Sequence, residues 1–229
     1  MSGFRRTQSA VETWLQEKEE DKAMTTMNPD DWDARYAAAP NVWSITPNEF
    51  VVEFLSDMPA GKVIDLAGGE GRNALWLAGR GWQAEVADFS QVALDKFTTR
   101  AAEEGLGHQC FATLADATHP TSYQLAPADL GLIAYLQIDA AGLSDAIFAL
   151  TEALASGATL FGVWHERENL TRGFGGPQVP EMLPTMDELR AACERAGLRI
   201  HTLEQRERHF ESAGEPRVGI DVVLVATRS

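Results

Sequence analysis

The chain has 229 residues, 45% hydrophobic and 23% charged, and its 34 acidic against 19 basic side chains give a formal net charge of -15. That length suits one domain or two small ones with a core that stands without disulfides, and the two cysteines, Cys110 and Cys193, fit thiols in a reducing cytoplasm. The negative balance disfavours nucleic acid, because each phosphate contact needs a cation, and no apolar run approaches the roughly 20 residues that span a bilayer. Phe4-Arg5-Arg6 ahead of a Glu-rich stretch lacks the apolar core of a signal peptide, so a cytoplasmic protein is expected. The charge itself reads as surface solvation and is compatible with a cationic small ligand.

In chain order, residues 1–27 read as an appendage: Val11, Trp14, Leu15 and Lys18 form only a narrow helical stripe among charged residues. Asn28-Pro29-Asp30-Asp31 combines an N-cap, a proline at the first helical position and acids in the first turn, which predicts a helix over 29–38. Thr46-Pro47-Asn48-Glu49 reads as a capping box ahead of Phe50, Val51, Phe54 and Leu55. From residue 61, short apolar runs alternate with amphipathic helices, the pattern of a mostly parallel sheet covered on both faces. Strands are expected at Val63–Leu66, Ala84–Ala87, Cys110–Leu114, Leu130–Leu136 and Thr159–Trp164, with helices opening near Gly71, Ser90 and Leu143. A capping box at Thr185 and Glu188 opens another helix that stops at Gly197, and strands Leu198–Glu204 and Val218–Ala226 close the chain as a hairpin near Gly214 and Pro216. Between the strand Thr159–Trp164 and that helix, 165–184 carries three glycines and three prolines without periodicity, which fits a lid over a site.

The segment Val63-Ile64-Asp65-Leu66-Ala67-Gly68-Gly69-Glu70-Gly71-Arg72-Asn73-Ala74 runs from a buried strand through a glycine loop into a helix. Backbone there can approach a ligand closely while unpaired helix N–H groups face it, which marks a nucleotide-type cofactor at the carboxyl edge of the sheet. Two cofactor classes compete. Gly69 to Ala74 satisfies the dinucleotide pattern G-x-G-x-x-G/A, with Asp88 near the distance of a ribose-binding acid. Asp65 argues against a pyrophosphate, since its charge would face phosphates, and suits an ammonium group.

The same segment resembles motif I of class I S-adenosylmethionine-dependent methyltransferases, with Asp65, Ala67, Gly69 and Gly71 in the family's pattern of an acid followed by alternating glycines; alanine replaces the first glycine. Asp88 matches the acid that pairs with the ribose hydroxyls. Asp116, closing the third strand, matches the residue near the adenine amino group, and Tyr135-Leu136-Gln137 ends the fourth strand where the family places groups beside the reacting methyl. Asp31 to Tyr36, Trp43-Ser44, Pro47 to Phe50, Gly69 to Ala74, Asp88 to Ser90 and Gly175 to Gln178 resemble the tellurite-resistance branch, with thiopurine methyltransferases more distant.

The resemblance implies a Rossmann-like α/β fold, a seven-stranded mostly parallel sheet with an antiparallel last strand and helices on both faces. It implies one methyltransferase domain over 28–229, in which 28–60 form a helical cover and 61–229 the core. Cofactor contacts are expected at Asp65, Ala67, Gly68, Gly69, Gly71, Asn73, Asp88, Phe89, Asp116, Ala117 and Leu136, and from Tyr36 and Trp43 in the cover. Trp32, Tyr36 and Trp43 can hold a sulfonium by cation–π attraction, and Arg35 can pair with the cofactor carboxylate or equally with Asp31 or Asp33 at the surface. His165 and Glu166, at the mouth of the glycine-rich stretch, are candidates for a base or a substrate contact, followed by Tyr135 and Gln137. His108 and Cys110 share a strand face without two further ligands, and His201 and His209 read as structural. The expected activity is in-line methyl transfer to a small soft or acidic nucleophile. A nicotinamide-dependent oxidoreductase and a regulatory protein that binds S-adenosylmethionine without turnover stand as the alternatives.

Overall fold

The computed structural model describes residues 28–119, 127–212 and 214–229; the appendage expected over 1–27 lies outside them. The cover contributes two helices, α1 (Pro29–Ala38) and α2 (Glu49–Leu55). The core then runs β1 (Lys62–Leu66), α3 (Arg72–Ala78), β2 (Gln83–Asp88), α4 (Gln91–Glu103), β3 (Cys110–Leu114), β4 (Ala128–Ala134), α5 (Ala140–Glu152) and β5 (Leu154–His165). After the one-turn helix α6 (Asn169–Arg172) and a 3-10 turn at Pro180–Met182 come α7 (Met186–Arg195), β6 (Leu198–Ser212) and β7 (Glu215–Arg228).

The seven strands form one sheet in the order β3-β2-β1-β4-β5-β7-β6. β1 to β5 pair in parallel, whereas β7 inserts antiparallel between β5 and β6. This is the mostly parallel sheet with an antiparallel last strand that the resemblance implies. Parallel strands buried on both faces must be apolar on both, so consecutive residues such as Val63 and Ile64 are each fully buried yet serve opposite sides. Ile64, Leu150, Trp164 and Leu189 belong to one apolar layer, and Val63, Leu77, Phe97 and Phe161 to the other. Because strand order reverses between β1 and β4, the loops that follow them diverge and leave a crevice at the carboxyl edge.

Cap chemistry sets the helix starts. Asn28 and Asp31 exchange side-chain and backbone hydrogen bonds as a capping box for α1, and Thr185 with Glu188 does so for α7. At α2 the cap is Asn48, whose Oδ1 accepts from the N–H groups of Phe50 and Val51; Thr46, read as the first residue of a box, lies outside the helix. β4 stops at Ala134, short of the expected Leu136, because Tyr135 turns into the left-handed region at φ +61°. β6 and β7 run far beyond their expected ends, pairing from Leu198 with Arg228 to Ser212 with Glu215.

Candidate active site

The glycine loop leaves β1 through three left-handed residues, Ala67, Gly69 and Gly71. A Cβ on Gly69 would stand 2.6 Å from the Tyr36 hydroxyl, and one on Gly71 would stand 2.3 Å from the Phe97 ring, so neither position has room for a side chain. Ala67 keeps the conformation that glycine adopts freely, at a cost of roughly 1–2 kcal/mol. A Cβ on Gly68 would meet Asp65 Cγ at 2.8 Å, so the loop lies directly on the Asp65 carboxylate.

That carboxylate is fully buried, neither of its oxygens has a close hydrogen-bond partner among the described residues, and the Ala74 N–H and the Arg72 charge stabilise it only in part. Burial pushes it up to about 7, against the opposing field of Arg72. Arg72, at the start of α3, donates to Ser44 Oγ at 2.7 Å, and burial lowers its pKa. Asp88 is buried at the end of β2, accepting from Gly69 N–H at 2.8 Å and Ser90 N–H at 2.9 Å. Desolvation raises it to about 6 in spite of these bonds. Asp116 follows β3 and accepts from the Thr118 amide and hydroxyl and faces His119 Nδ1 at 2.8 Å. Burial pushes it up, but these partners outweigh burial and hold it below the usual carboxylate range. Asn73 accepts from Asn48 N–H at 2.9 Å, tying α3 to the cover.

All the expected cofactor contacts except Ala117 border a cavity of about 720 Å³, within the roughly 300–1,000 Å³ of small-molecule sites. From the cover, Trp32, Tyr36 and Trp43 reach it as an aromatic cluster with ring centroids 5.7 and 6.1 Å apart. Trp43 Nε1 donates to Tyr36 Oη at 3.2 Å, and burial followed by the Asp88 charge raises the Tyr36 hydroxyl. Polar ties hold the cover down: Glu70 accepts from the Val42 N–H, and Lys96 bridges Glu70 and the Ala39 carbonyl. Arg35 departs from the sequence expectation. Its guanidinium lies over the Trp32 and Trp43 rings and does not border the cavity, whereas Arg72, which the sequence reading passed over, does.

At the β5 side of the cavity, His165 and Tyr135 stack with centroids 4.7 Å apart and share a partner that the sequence did not reveal. Asp221 of β7 lies 2.9 Å from His165 Nδ1, accepts from Tyr135 Oη at 2.7 Å and from Arg208 Nε at 2.8 Å. Burial would raise Asp221, but His165, Arg208 and Tyr135 together hold it below the usual carboxylate range. Asn48 Nδ2 donates to Tyr135 Oη at 3.1 Å, so the cap of α2 joins the same network. Gln137 borders the cavity but both ends of its amide are engaged, by the Met182 carbonyl and the His165 N–H. Glu166 turns away from the site: it accepts from the Glu168 N–H and the Gln205 amide. His201 pairs with Thr227 on the hairpin, and among the described residues no cluster of His, Cys, Asp and Glu forms a metal site.

No protein-family model and no curated protein sequence matches the chain. Many solved structures do. One, described for the conversion of a disulfide bond into a thioacetal group during echinomycin biosynthesis, is 21% identical with a TM-score of 0.70 over 88% of this chain and 93% of that one. TehB from Haemophilus influenzae is 15% identical with a TM-score of 0.62 over 88% and 67%. The glycopeptide N-methyltransferase MtfA, solved with S-adenosylmethionine, is 17% identical with a TM-score of 0.60 over 80% and 95%. At these identities the likeness is one of architecture, and the chain has the class I methyltransferase fold.

Proposed function

We propose that the chain is an S-adenosylmethionine-dependent methyltransferase acting on a small molecule, a single domain over residues 28–229 in which 28–60 cover the cofactor. The supporting observation is Asp65, a buried carboxylate beneath a glycine loop whose two oxygens have no close partner among the described residues. Such a group is costly to keep unless a ligand completes it. An amino-acid ammonium does so, whereas a pyrophosphate would set like charges together. Arg72 suits the α-carboxylate of the same amino-acid end, through the two-pronged pairing a guanidinium offers. Each Asp88 oxygen keeps a lone pair beyond its one backbone donor, which suits a ribose diol. Phe89, Asp116 and Leu136, which border the cavity, are assigned to the adenosine side, whereas Ala117 is buried in the apolar core away from it; MtfA carries S-adenosylmethionine on this fold.

When bound, the cofactor supplies an electrophilic methyl on a sulfonium. The chain's own part is to align the acceptor, exclude water beneath the cover and present the faces of Trp32, Tyr36 and Trp43 to a cation. We place the protein in the cytoplasm, as its two free thiols suit, and give it no nucleic-acid partner, as its net charge of -15 opposes one. No described helix is long and apolar enough to cross a membrane. Isothermal titration with S-adenosylmethionine, S-adenosylhomocysteine and NAD tests the assignment. Binding of the first two and not the third is expected; NAD binding with no S-adenosylmethionine signal overturns it.

A further inference from the structure

Resting on that reading, we propose that His165, held by Asp221, removes a proton from the methyl acceptor, so that the acceptor binds as a hydroxyl or thiol and not as a ready-made anion. Asp221 is the centre of the arrangement. Its side chain is fully buried, and it has His165 Nδ1 on one oxygen and Tyr135 Oη with Arg208 Nε on the other. Arg208 Nε can only donate, and Tyr135 Oη, which receives the Asn48 amide, donates to Asp221 in turn. A carboxylate that accepts on both oxygens makes His165 Nδ1 a donor as well. The neutral ring therefore carries its lone pair on Nε2.

Nε2 has no protein partner among the described residues, and His165 borders the cavity. Gly176, at φ +76°, packs its backbone against the ring, and only glycine fits there, because a Cβ would come within 2.4 Å of His165 Cδ2 and 3.0 Å of Nε2. On the other side the ring stacks on Tyr135, a non-glycine residue held at φ +61°, where backbone strain persists only because its surroundings fix it. Structural pairing alone does not account for this. Arg208 and Asp221 already balance each other's charge, and an imidazole added to the pair with its second nitrogen unpartnered among the described residues contributes nothing to that balance.

The step closes in atoms and charge. The acceptor's lone pair forms the bond to the methyl carbon, the carbon–sulfur pair returns to sulfur, and the acceptor's proton passes to Nε2. One cation, the sulfonium, is lost as another, the imidazolium, forms beside Asp221. The charged and titratable groups that contact His165 or its partner are Asp221 on β7, Arg208 on β6 and Tyr135 after β4; Glu166 faces Glu168 and Gln205 instead. Asp221 acts through His165 and is a positioning residue.

Asp221→Asn separates this role from a packing role. Two donors, Tyr135 Oη and Arg208 Nε, converge on the Oδ2 position, so the new amide turns its oxygen to them and its NH2 to His165 Nδ1, reversing the tautomer while keeping the shape. Long-range ¹⁵N–¹H spectra of the ligand-free protein read this directly, with His165→Gln identifying the signal. We expect Nδ1–H in the wild type and Nε2–H in Asp221→Asn; Nε2–H in the wild type overturns the proposal. S-Adenosylhomocysteine affinity is expected to stay within about twofold in both variants, and a large loss would make His165 a cofactor ligand instead. Transfer of labelled methyl to phenol, alcohol and thiol probes is expected to fall roughly 100-fold in both variants. Unchanged transfer, or transfer confined to acceptors without an ionisable proton, overturns it. Failure of the wild type to bind S-adenosylhomocysteine would instead sink the functional reading and leave the tautomer result standing.

Discussion

Between about pH 4 and about pH 6, Asp65 and Asp88 hold protons in the folded chain that an unfolded chain would release. Their pKa values stand at about 7 and about 6, against an ordinary value of about 3.9. Native protons exceed unfolded ones across that window, so these two groups favour the fold at acid pH and their contribution is lost as pH rises through about 4 to 7. An ammonium set against Asp65 reverses the shift, and binding then expels a proton. Calorimetry at about pH 6.5 in two buffers of different ionisation enthalpy should show proton release on S-adenosylmethionine binding, and Asp65→Asn should abolish it. The same variant should weaken binding at least tenfold yet raise the ligand-free stability by roughly 1–3 kcal/mol at pH 8, because it removes an uncompensated buried charge. A protein destabilised by Asp65→Asn would show that the carboxylate has a structural partner. These acids were legible because each stands at the carboxyl end of an apolar strand. Asp221 and Arg208 were not: Arg208 lies beyond the expected end of the strand Leu198–Glu204 and Asp221 within the apolar run Val218–Ala226, and only the hairpin register brings them together.

Elements, not single residues, determine where those groups stand. The parallel core was readable from apolar runs separated by capped helices, since burial on both faces leaves little freedom in composition. Its edges were harder to read. The extension of β6 and β7 rests on cross-strand pairing, as with Arg206 opposite Asp221, and not on any local apolar signal. α2 shows the same limit, because choosing between Thr46 and Asn48 as its cap depends on Asn73, which receives the Asn48 N–H from another element. Asn48 therefore has two tasks, capping α2 with its oxygen and holding Tyr135 with its amide. Asn48→Ala should cost about 1–2 kcal/mol in urea unfolding. Asn48→Ser, which restores a cap but not the reach to Tyr135, should recover most of that stability while leaving Tyr135 less restrained. Equal losses in the two variants would place the cost in the link and not in the cap. In the glycine loop Gly71→Ala should abolish S-adenosylhomocysteine binding, since the added Cβ meets Phe97 at 2.3 Å in a left-handed backbone; binding within threefold of wild type would show that the loop relaxes freely.

Across the whole molecule, stability is divided between a sheet sealed on both faces, to which α2 of the cover adds Phe50, Val51 and Leu55, and a connection over 39–48 held mostly by polar ties. Val63, Leu130, Leu132 and Val163 are fully buried in parallel strands, whereas residues 39–48 rest on Glu70, Lys96 and Arg72 at the cavity rim. The segment after β5 is anchored similarly, by Asn169 to the Gly175 carbonyl and Gln137 to the Met182 carbonyl. Segments with few buried apolar contacts open at low free energy, and those bordering a ligand are the ones its binding closes. S-Adenosylhomocysteine at about 100 times its dissociation constant adds roughly 2.7 kcal/mol to the folded state. Local openings of the cover and of 173–184 expose the ligand, so that stabilisation should appear there at short exchange times. Hydrogen exchange should therefore slow in 28–48 and 173–184 while α5 and α7, which pack on each other beside the sheet, change only at long times through global unfolding. Equal slowing in α5 and α7 at short times would mean that the ligand tightens the molecule as one unit and that 28–60 does not act as a separate cover.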